Sequence, residues 1–450
     1  MTEDYDVIVI GAGSGGMAAS KRAAKRGATV ALIEGRTVGG TCVARGCMPK
    51  KFLYYASKRL SEVNANGPAG LQAEPTEISW SDIIDHELSV VEDLIQANRE
   101  GVEDYDRIEL IEGRARLLDK DTVNVNGESL TAGSIILATG SSPKEPPIDG
   151  AEYGIMSDDF LKDHTLPYSM GFVGGGYIAV EFASVLQTFG VDVTIFQRPE
   201  TLLPNYDSVI GRAIEKRFEE RGIDVNTGTE VQSIEKAGRS YHLKFNGDRQ
   251  GSFTADRVLL AVGRESNTED LGLDNIGLEP AEDKSIEVDD GLRTDVDSVY
   301  AVGDLNGRYP FTPVAIREGK IAAENAVDGS DRTVNYDDVP TAVFTQPQAG
   351  SVGLSEAKAR KEHDSITVAK KSFKPFSAAV RREQGEVRIK LIYEDTYDRL
   401  IGLHVIGPDA SEIVQGFGLA LRQGVTMSDI KDFPGIHPTV AEEIFSTKPD

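Results

Sequence analysis

Apolar and polar positions along this chain repeat one pattern twice. Asp6-Val7-Ile8-Val9-Ile10 is a short β-branched run ending at glycine, as expected of a parallel strand covered on both faces. Met17 to Arg26 has helical composition, with Gly27 placed to end it. Thr29-Val30-Ala31-Leu32-Ile33-Glu34 then reads as a second strand, completing a βαβ unit. The same text returns at Gly171-Phe172-Val173-Gly174-Gly175-Gly176-Tyr177-Ile178-Ala179 and Val193-Thr194-Ile195-Phe196-Gln197. Setting Gly11 on Gly174 places Gly13 on Gly176, Gly16 on Ala179 and Glu34 on Gln197, without a gap. Pro143-Lys144-Glu145-Pro146-Pro147 predicts a domain crossing, because proline interrupts regular structure. Short apolar runs resume near 265–330 and end in Ser298-Val299-Tyr300-Ala301-Val302-Gly303-Asp304. From about 335 the character changes. Val387-Arg388-Ile389-Lys390-Leu391 alternates with period two, which predicts a half-exposed antiparallel strand, and Ile413 to Leu421 has helical apolar spacing. That is a separate C-terminal domain.

At 450 residues the chain is too long for one core and predicts two to four domains. Its 73 acidic residues against 48 basic ones give a net charge of -25, which disfavours nucleic acid and anionic membranes as partners. The acids are dispersed rather than gathered in a tail, a distribution suited to solubility and to a halophile's high salt. No apolar run approaches the roughly 18 residues of a membrane span. The acidic start Met1-Thr2-Glu3-Asp4-Tyr5-Asp6 is unlike a signal peptide, so a cytoplasmic location is expected. The six histidines lack zinc-ligand spacing, and no metal is expected.

Glycine spacing gives the repeated pattern its chemistry. In Gly11-Ala12-Gly13-Ser14-Gly15-Gly16, glycines let backbone approach a pyrophosphate at the N-terminus of the following helix, and Glu34 is placed to accept from a ribose diol. In the second copy, neutral Gln197 followed by Arg198 can accommodate a 2′-phosphate, so NADPH is expected over NADH. The only two cysteines are Cys42 and Cys47, within Gly39-Gly40-Thr41-Cys42-Val43-Ala44-Arg45-Gly46-Cys47-Met48-Pro49-Lys50. A bridge between them closes too small a loop to add much stability, which points to a redox-active pair. A helix beginning near Cys42, with Arg45 and Lys50 nearby, would favour thiolates. Near the C-terminus, Gly435-Ile436-His437-Pro438-Thr439-Val440-Ala441-Glu442-Glu443 holds a histidine suited to moving protons and a glutamate close enough in sequence to orient it.

These motifs together resemble the flavoprotein pyridine nucleotide-disulfide reductases with two dinucleotide-binding domains. That family includes glutathione, trypanothione, mycothione and mercuric reductases and dihydrolipoamide dehydrogenase. The resemblance runs nearly end to end, adding Ala138-Thr139-Gly140, Ala261-Val262-Gly263-Arg264, Ala301-Val302-Gly303-Asp304 and Thr312-Pro313-Val314-Ala315, and is nearest to glutathione reductase through Pro49-Lys50-Lys51 and His437-Pro438-Thr439. It implies an α/β fold of two Rossmann-like domains, for FAD and NAD(P), plus a C-terminal α+β dimerisation domain. The expected boundaries are 1–147 and 266–334 for FAD, 148–265 for NAD(P), and 335–450 for the interface. The first glycine motif, Gly11, Gly13, Ser14, Gly15 and Gly16 with Glu34, would then hold FAD, helped by Gly40, Thr41, Ala115, Thr139, Gly140, Asp304 on the ribityl chain, and Thr312. Gly174, Gly175, Gly176, Tyr177, Ile178, Gln197, Arg198, Gly263 and Arg264 would serve the nicotinamide cofactor, Tyr177 shielding its pocket. Lys50 would lie near the flavin and pair with Glu181. Cys47 would be the flavin-proximal thiol, Cys42 the one attacking substrate. His437, oriented by Glu442 and supplied by the second subunit of a homodimer, would be the acid–base catalyst.

Four departures bear on the substrate. Ala44 stands where the family has asparagine between the cysteines. Lys21 and Lys320 stand where glutathione reductases place arginines, which loses bidentate geometry. Asn98 stands where those enzymes place a tyrosine. The pocket stays cationic, so an anionic small disulfide is expected, with bis-γ-glutamylcystine ahead of glutathione disulfide. The alternative enzyme is dihydrolipoamide dehydrogenase, since Gln197 is a small change from its acid. From another class, a flavin-bearing redox sensor would not need His437 and Glu442.

Overall fold

In the computed structural model, which describes residues 4–65, 70, 73–75, 77–380 and 385–449, the chain forms two compact units. One comprises Met1–Lys50, Ile84–Lys144 and Gly263–Asn335, the other Lys51–Ile83, Glu145–Val262 and Tyr336–Asp450.

The first unit is built on a parallel sheet. Tyr5–Ile10 lies between Val30–Glu34 and Glu128–Leu137, with Ile108–Glu112 outside Val30–Glu34 and Val299–Ala301 beside Glu128–Leu137. Val7 pairs with Val30 and Ile10 with Ile33. Crossover geometry explains the arrangement: parallel neighbours need a helix between them, and Ser14–Lys25 supplies it. The ten-residue strand Glu128–Leu137 also joins the antiparallel meander of Ala115–Asp119 and Thr122–Val125, so one strand serves both sheets. Ile8, Ile10, Ile33, Ile135 and Leu137 pack with Leu117, Val123 and Leu305 in one core.

The second unit repeats the parallel plan in the order Asp224–Asn226, Asp192–Phe196, Ser169–Val173, Arg257–Leu260. A three-stranded antiparallel sheet, Thr229–Ala237, Ser240–Gly247 and Gly251–Ala255, packs on it through Phe245 and Phe253 against Phe196. From Thr341 onward five antiparallel strands run in the order Thr341–Val343, Ala349–Gly353, Arg399–Ile406, Val387–Glu394, Ile366–Phe373, backed by the helix Ala410–Arg422.

The strand at Val387–Glu394 corrects the expectation of a half-exposed face. All but Arg388 of its eight residues are buried. Lys390, which alternation assigns to solvent, is 2% exposed. Its ammonium donates to both oxygens of Asp207 at 2.8 Å and lies 2.8 Å from Glu356 Oε2. A buried lysine is tolerated when its charge is paired and hydrogen-bonded, and both partners are distant in sequence.

Candidate active site

The N-terminal turn is tight because its glycines permit nothing larger. Gly11 has φ of +106°, and a Cβ there would meet Ala138 O at 2.4 Å; a Cβ on Gly16 would meet Gly11 O at 1.8 Å. Gly13, the cap of helix Ser14–Lys25, offers no side-chain acceptor to the helix N-terminus, and the first turn contains no acid. The backbone of Gly40 closes the same turn, since its Cβ would meet Gly13 Cα at 2.7 Å. Amides left to an external acceptor, at the positive end of a helix, fit a pyrophosphate. Glu34 Oε2 accepts from Ala12 N and Oε1 from Arg36 N, both at 2.7 Å. A carboxylate oxygen can accept twice, so both remain competent for a ribose diol.

Asn267 braces the Thr139-Gly140 segment. Its N donates to Gly140 O and its Nδ2 to Thr139 O, while Thr139 Oγ1 donates to Asn267 O. Asp304 sits in a single helical turn, Gly303–Asn306, and its Oδ2 accepts from Ser141 Oγ at 2.5 Å. Arg264, which the resemblance assigns to cofactor binding, spends Nε on Ser141 Oγ at 2.8 Å and Nη2 on Ser141 O at 2.6 Å. The fully buried Glu318 accepts from Gly303 N and Asn306 Nδ2. Ser141, Asn267 and Glu318 were not legible as site residues. Ser141 directly follows Thr139-Gly140, and Glu318 is an acid at a core-facing position of helix Thr312–Asp328. Ala115 opens the strand Ala115–Asp119, opposite Val125.

The structure brings Ser14, Cys42, Cys47 and Thr312 together. Cys47 Sγ lies 3.7 Å from Thr312 Oγ1, the first residue of helix Thr312–Asp328. The two sulfurs are thiols rather than a disulfide. A helix begins beside Cys42 as expected, but it is short and a second one follows. Thr41 and Cys42 lie within the five-residue helix Gly40–Ala44, whereas the eighteen-residue helix starts at Cys47. The positive end of the long helix therefore bears on Cys47. The Cys42 thiol is not eased toward thiolate: the hydrogen bond shared with Cys47, then burial, then the Cys47 charge push it well up, outweighing the Thr312 and Ser14 hydroxyls. Lys50 follows in the first turn of that helix.

In the second unit, Gly174 has φ of +108° and its Cβ would meet Ala261 O at 2.3 Å, matching Gly11. Gly176 caps helix Tyr177–Thr188 without a side-chain acceptor, and a Cβ there would meet nothing within 4 Å, leaving room for a ligand. Gly175 N donates to Gln197 Oε1 at 2.8 Å. Arg198 follows at the strand end with its side chain 80% exposed and Glu230 3.9 Å away. Gly263, which belongs to the first unit, has φ of +123°, with open space where a Cβ would be. Tyr177 is exposed and Ile178 half-buried at the start of the helix. Glu181, on the same helix and 2% exposed, accepts from Phe344 N at 2.7 Å.

His437 is 84% exposed, with Nδ1 3.0 Å from both oxygens of Glu442. Glu442 also accepts from Thr439 N and is packed against Gly435, whose Cβ would meet it at 2.7 Å. An imidazole held through Nδ1 keeps Nε2 for an external partner. Of the departing positions, Asn98 Nδ2 donates to Leu94 O within helix Trp80–Glu103, and Lys320 is exposed on helix Thr312–Asp328.

Among the described residues no helix is long and apolar enough to cross a membrane. Residues 5–319 match the family described as pyridine nucleotide-disulphide oxidoreductase, and 339–447 match its dimerisation domain. The glutathione reductase of Nostoc sp. is 37% identical over 461 residues, covering 100% of both chains. That of Burkholderia cepacia is 36% identical, covering 99% of this chain and 98% of the relative. The chloroplastic/mitochondrial glutathione reductase of Pisum sativum is 37% identical over 99% of this chain and 82% of its own. With two glycine cradles, each with its ribose-side acceptor, and a dithiol beside the first, the chain belongs to the pyridine nucleotide-disulphide oxidoreductases, as a disulfide reductase with FAD and NADPH for cofactors.

Proposed function

We propose that the chain is a homodimeric reductase of an anionic low-molecular-weight disulfide, with bis-γ-glutamylcystine its first substrate and glutathione disulfide second. The observation that carries the reading is the cluster of Ser14, Cys42, Cys47 and Thr312 beside the first glycine cradle. Lysines at 21 and 320 support the smaller disulfide, since they attract carboxylates without the two-pronged geometry of arginine.

FAD, held by the first cradle with Glu34, Thr41, Ala115 and Asp304, supplies the two-electron link between NADPH and sulfur. NADPH is assigned to the second cradle, with Gln197 and Arg198 at its ribose end and Tyr177 over its nicotinamide pocket. Cys42 attacks one substrate sulfur, forming a mixed disulfide and expelling the other half as a thiolate. His437 of a second copy, oriented by Glu442, takes the proton the Cys42 thiol gives up on attack and hands it to that thiolate. Cys47 then attacks Cys42, releasing the second thiol and leaving Cys42 and Cys47 bonded for the next reduction. Lys50 and Glu181 are assigned as charged side chains that serve the cofactors. The domain assignment follows: 1–147 and 266–334 for FAD, 148–265 for NADPH, 335–450 for the interface. A cytoplasmic, salt-adapted setting fits the dispersed net charge of -25.

Steady-state rates with bis-γ-glutamylcystine, glutathione disulfide and lipoamide, each with NADPH and NADH, test this. NADPH with bis-γ-glutamylcystine should lead by about tenfold or more in kcat/KM, the scale of one well-made polar contact. Glutathione disulfide leading would remove the substrate assignment. NADH with lipoamide leading would instead favour a dihydrolipoamide dehydrogenase.

A further inference from the structure

We propose that Ser141 is a positioning residue of the flavin site, fixing the rotamer of Asp304, and that Arg264 acts through it. The inference rests on the reading of Asp304 as a ribityl contact.

Ser141 is 8% exposed, and its hydroxyl has one proton to give. Arg264 Nε can only donate, so at 2.8 Å the serine oxygen must accept there. The serine proton is thereby directed to Asp304 Oδ2, 2.5 Å away. A second prong, Arg264 Nη2 to Ser141 O at 2.6 Å, holds the serine backbone as well. The rigid guanidinium fork suits this double contact. Both arms stand on one ladder, because Arg264–Ser266 pairs antiparallel with Ser141–Pro143 and sets Ser266 opposite Ser141.

The backbone around Asp304 is held in the same way. Ser266 Oγ donates to Asp304 O at 2.9 Å, and Gly303 N donates to Glu318 Oε2 at 2.6 Å. With one carboxylate oxygen and the flanking peptide groups fixed, Oδ1 is left as the acceptor for a ligand hydroxyl. No hydrogen bond from the described residues reaches it. A freely turning aspartate would lose rotamer entropy whenever flavin binds, and the serine removes that cost beforehand.

The test is FAD titration of apoprotein, with the flavin midpoint potential and visible spectrum of the reconstituted protein. Ser141→Ala should weaken FAD binding about tenfold, the scale of a hydrogen bond to a charged group, and shift potential and spectrum. Ser141→Thr, which keeps the hydroxyl, should restore all three. Arg264→Lys should move them in the same direction as Ser141→Ala, and it serves also if the alanine variant does not fold. Native affinity and spectrum in Ser141→Ala, or no rescue by threonine, would overturn the proposal. Asp304→Ala separates the two layers. Native FAD affinity there defeats the ribityl assignment itself, whereas loss there without loss in Ser141→Ala defeats only the serine's role.

Discussion

At the end of its second strand the first copy of the repeated motif places Glu34, and the later copy places Gln197. Each side chain accepts a hydrogen bond from a turn amide, Ala12 N in one and Gly175 N in the other. The turn needs only an acceptor oxygen at that point. Whether the oxygen belongs to an acid or an amide is therefore left to the ligand. The remaining atoms show the difference: Glu34 Oε1 accepts from Arg36 N, while Gln197 Nε2 donates to Thr201 O at 3.4 Å. The motifs diverge also at Gly16, where a methyl would strike Gly11 O, while the corresponding Ala179 is fully buried without harm.

A buried acid stabilises each unit, and these too differ. Glu324 in the first is surrounded by Arg22, Arg26 and Arg332. Burial raises its proton affinity, but the arginines outweigh it and the net shift is downward. Asp207 in the second faces Lys390 and His404. It too is lowered, with burial overcome by His404, Lys390 and the amides of Glu356 and Val209. Arginines stay charged throughout. His404 does not: its Nε2 meets the Leu354 carbonyl, an acceptor only, so the neutral ring accepts from Ser351 Oγ at Nδ1.

The largest expected effect breaks the turn symmetry. Gly16→Ala should cost about 1–3 kcal/mol by overpacking and yield protein without flavin absorbance, whereas Ala179→Gly should retain FAD; equal flavin content in both would refute the contrast.

Next comes pH. Burial lowers His404 from 6.5 to about 4, ahead of the opposing pull of Asp207. The unfolded chain then binds the extra proton between these values, so stability is complete above about pH 6.5 and falls as pH drops toward 4. The full loss from this group is about 3 kcal/mol, and His404→Gln should flatten that limb of the denaturation profile.

Third, Gln197→Glu should keep the Gly175 bond yet cut kcat/KM for NADPH about thirtyfold by repelling its phosphate, with NADH spared. Equal losses for both cofactors would mean that shape, not charge, had changed. Smallest is Arg198→Ala, expected to raise KM for NADPH about tenfold at low salt and less in brine, since the guanidinium is exposed.

Local rules explain which parts of this fold were readable. Buried β-branched runs and glycine spacing are short-range signals, so both strand–turn–helix units and the C-terminal helix stand in the sequence. Lys390 was misread because alternation assigns a charged residue to solvent, and nothing near it announces Asp207, 183 positions away. A helix beginning near Cys42 was readable, but not that it stops at Ala44 and a longer one starts afresh at Cys47. The cysteines, His437 and Glu442 were readable as chemistry. Ser141 and Glu318 were not, because their roles depend on what the fold sets beside them.

The sealed contact between Lys390 and Asp207 has one more consequence. At molar ionic strength mobile counterions mute attraction between exposed charges beyond about 3 Å, and most ion pairs on an acidic exterior weaken accordingly. An ammonium and a carboxylate each only 2% exposed admit no counterion between them. This contact should hold its strength where the molecule's outer charges have lost theirs.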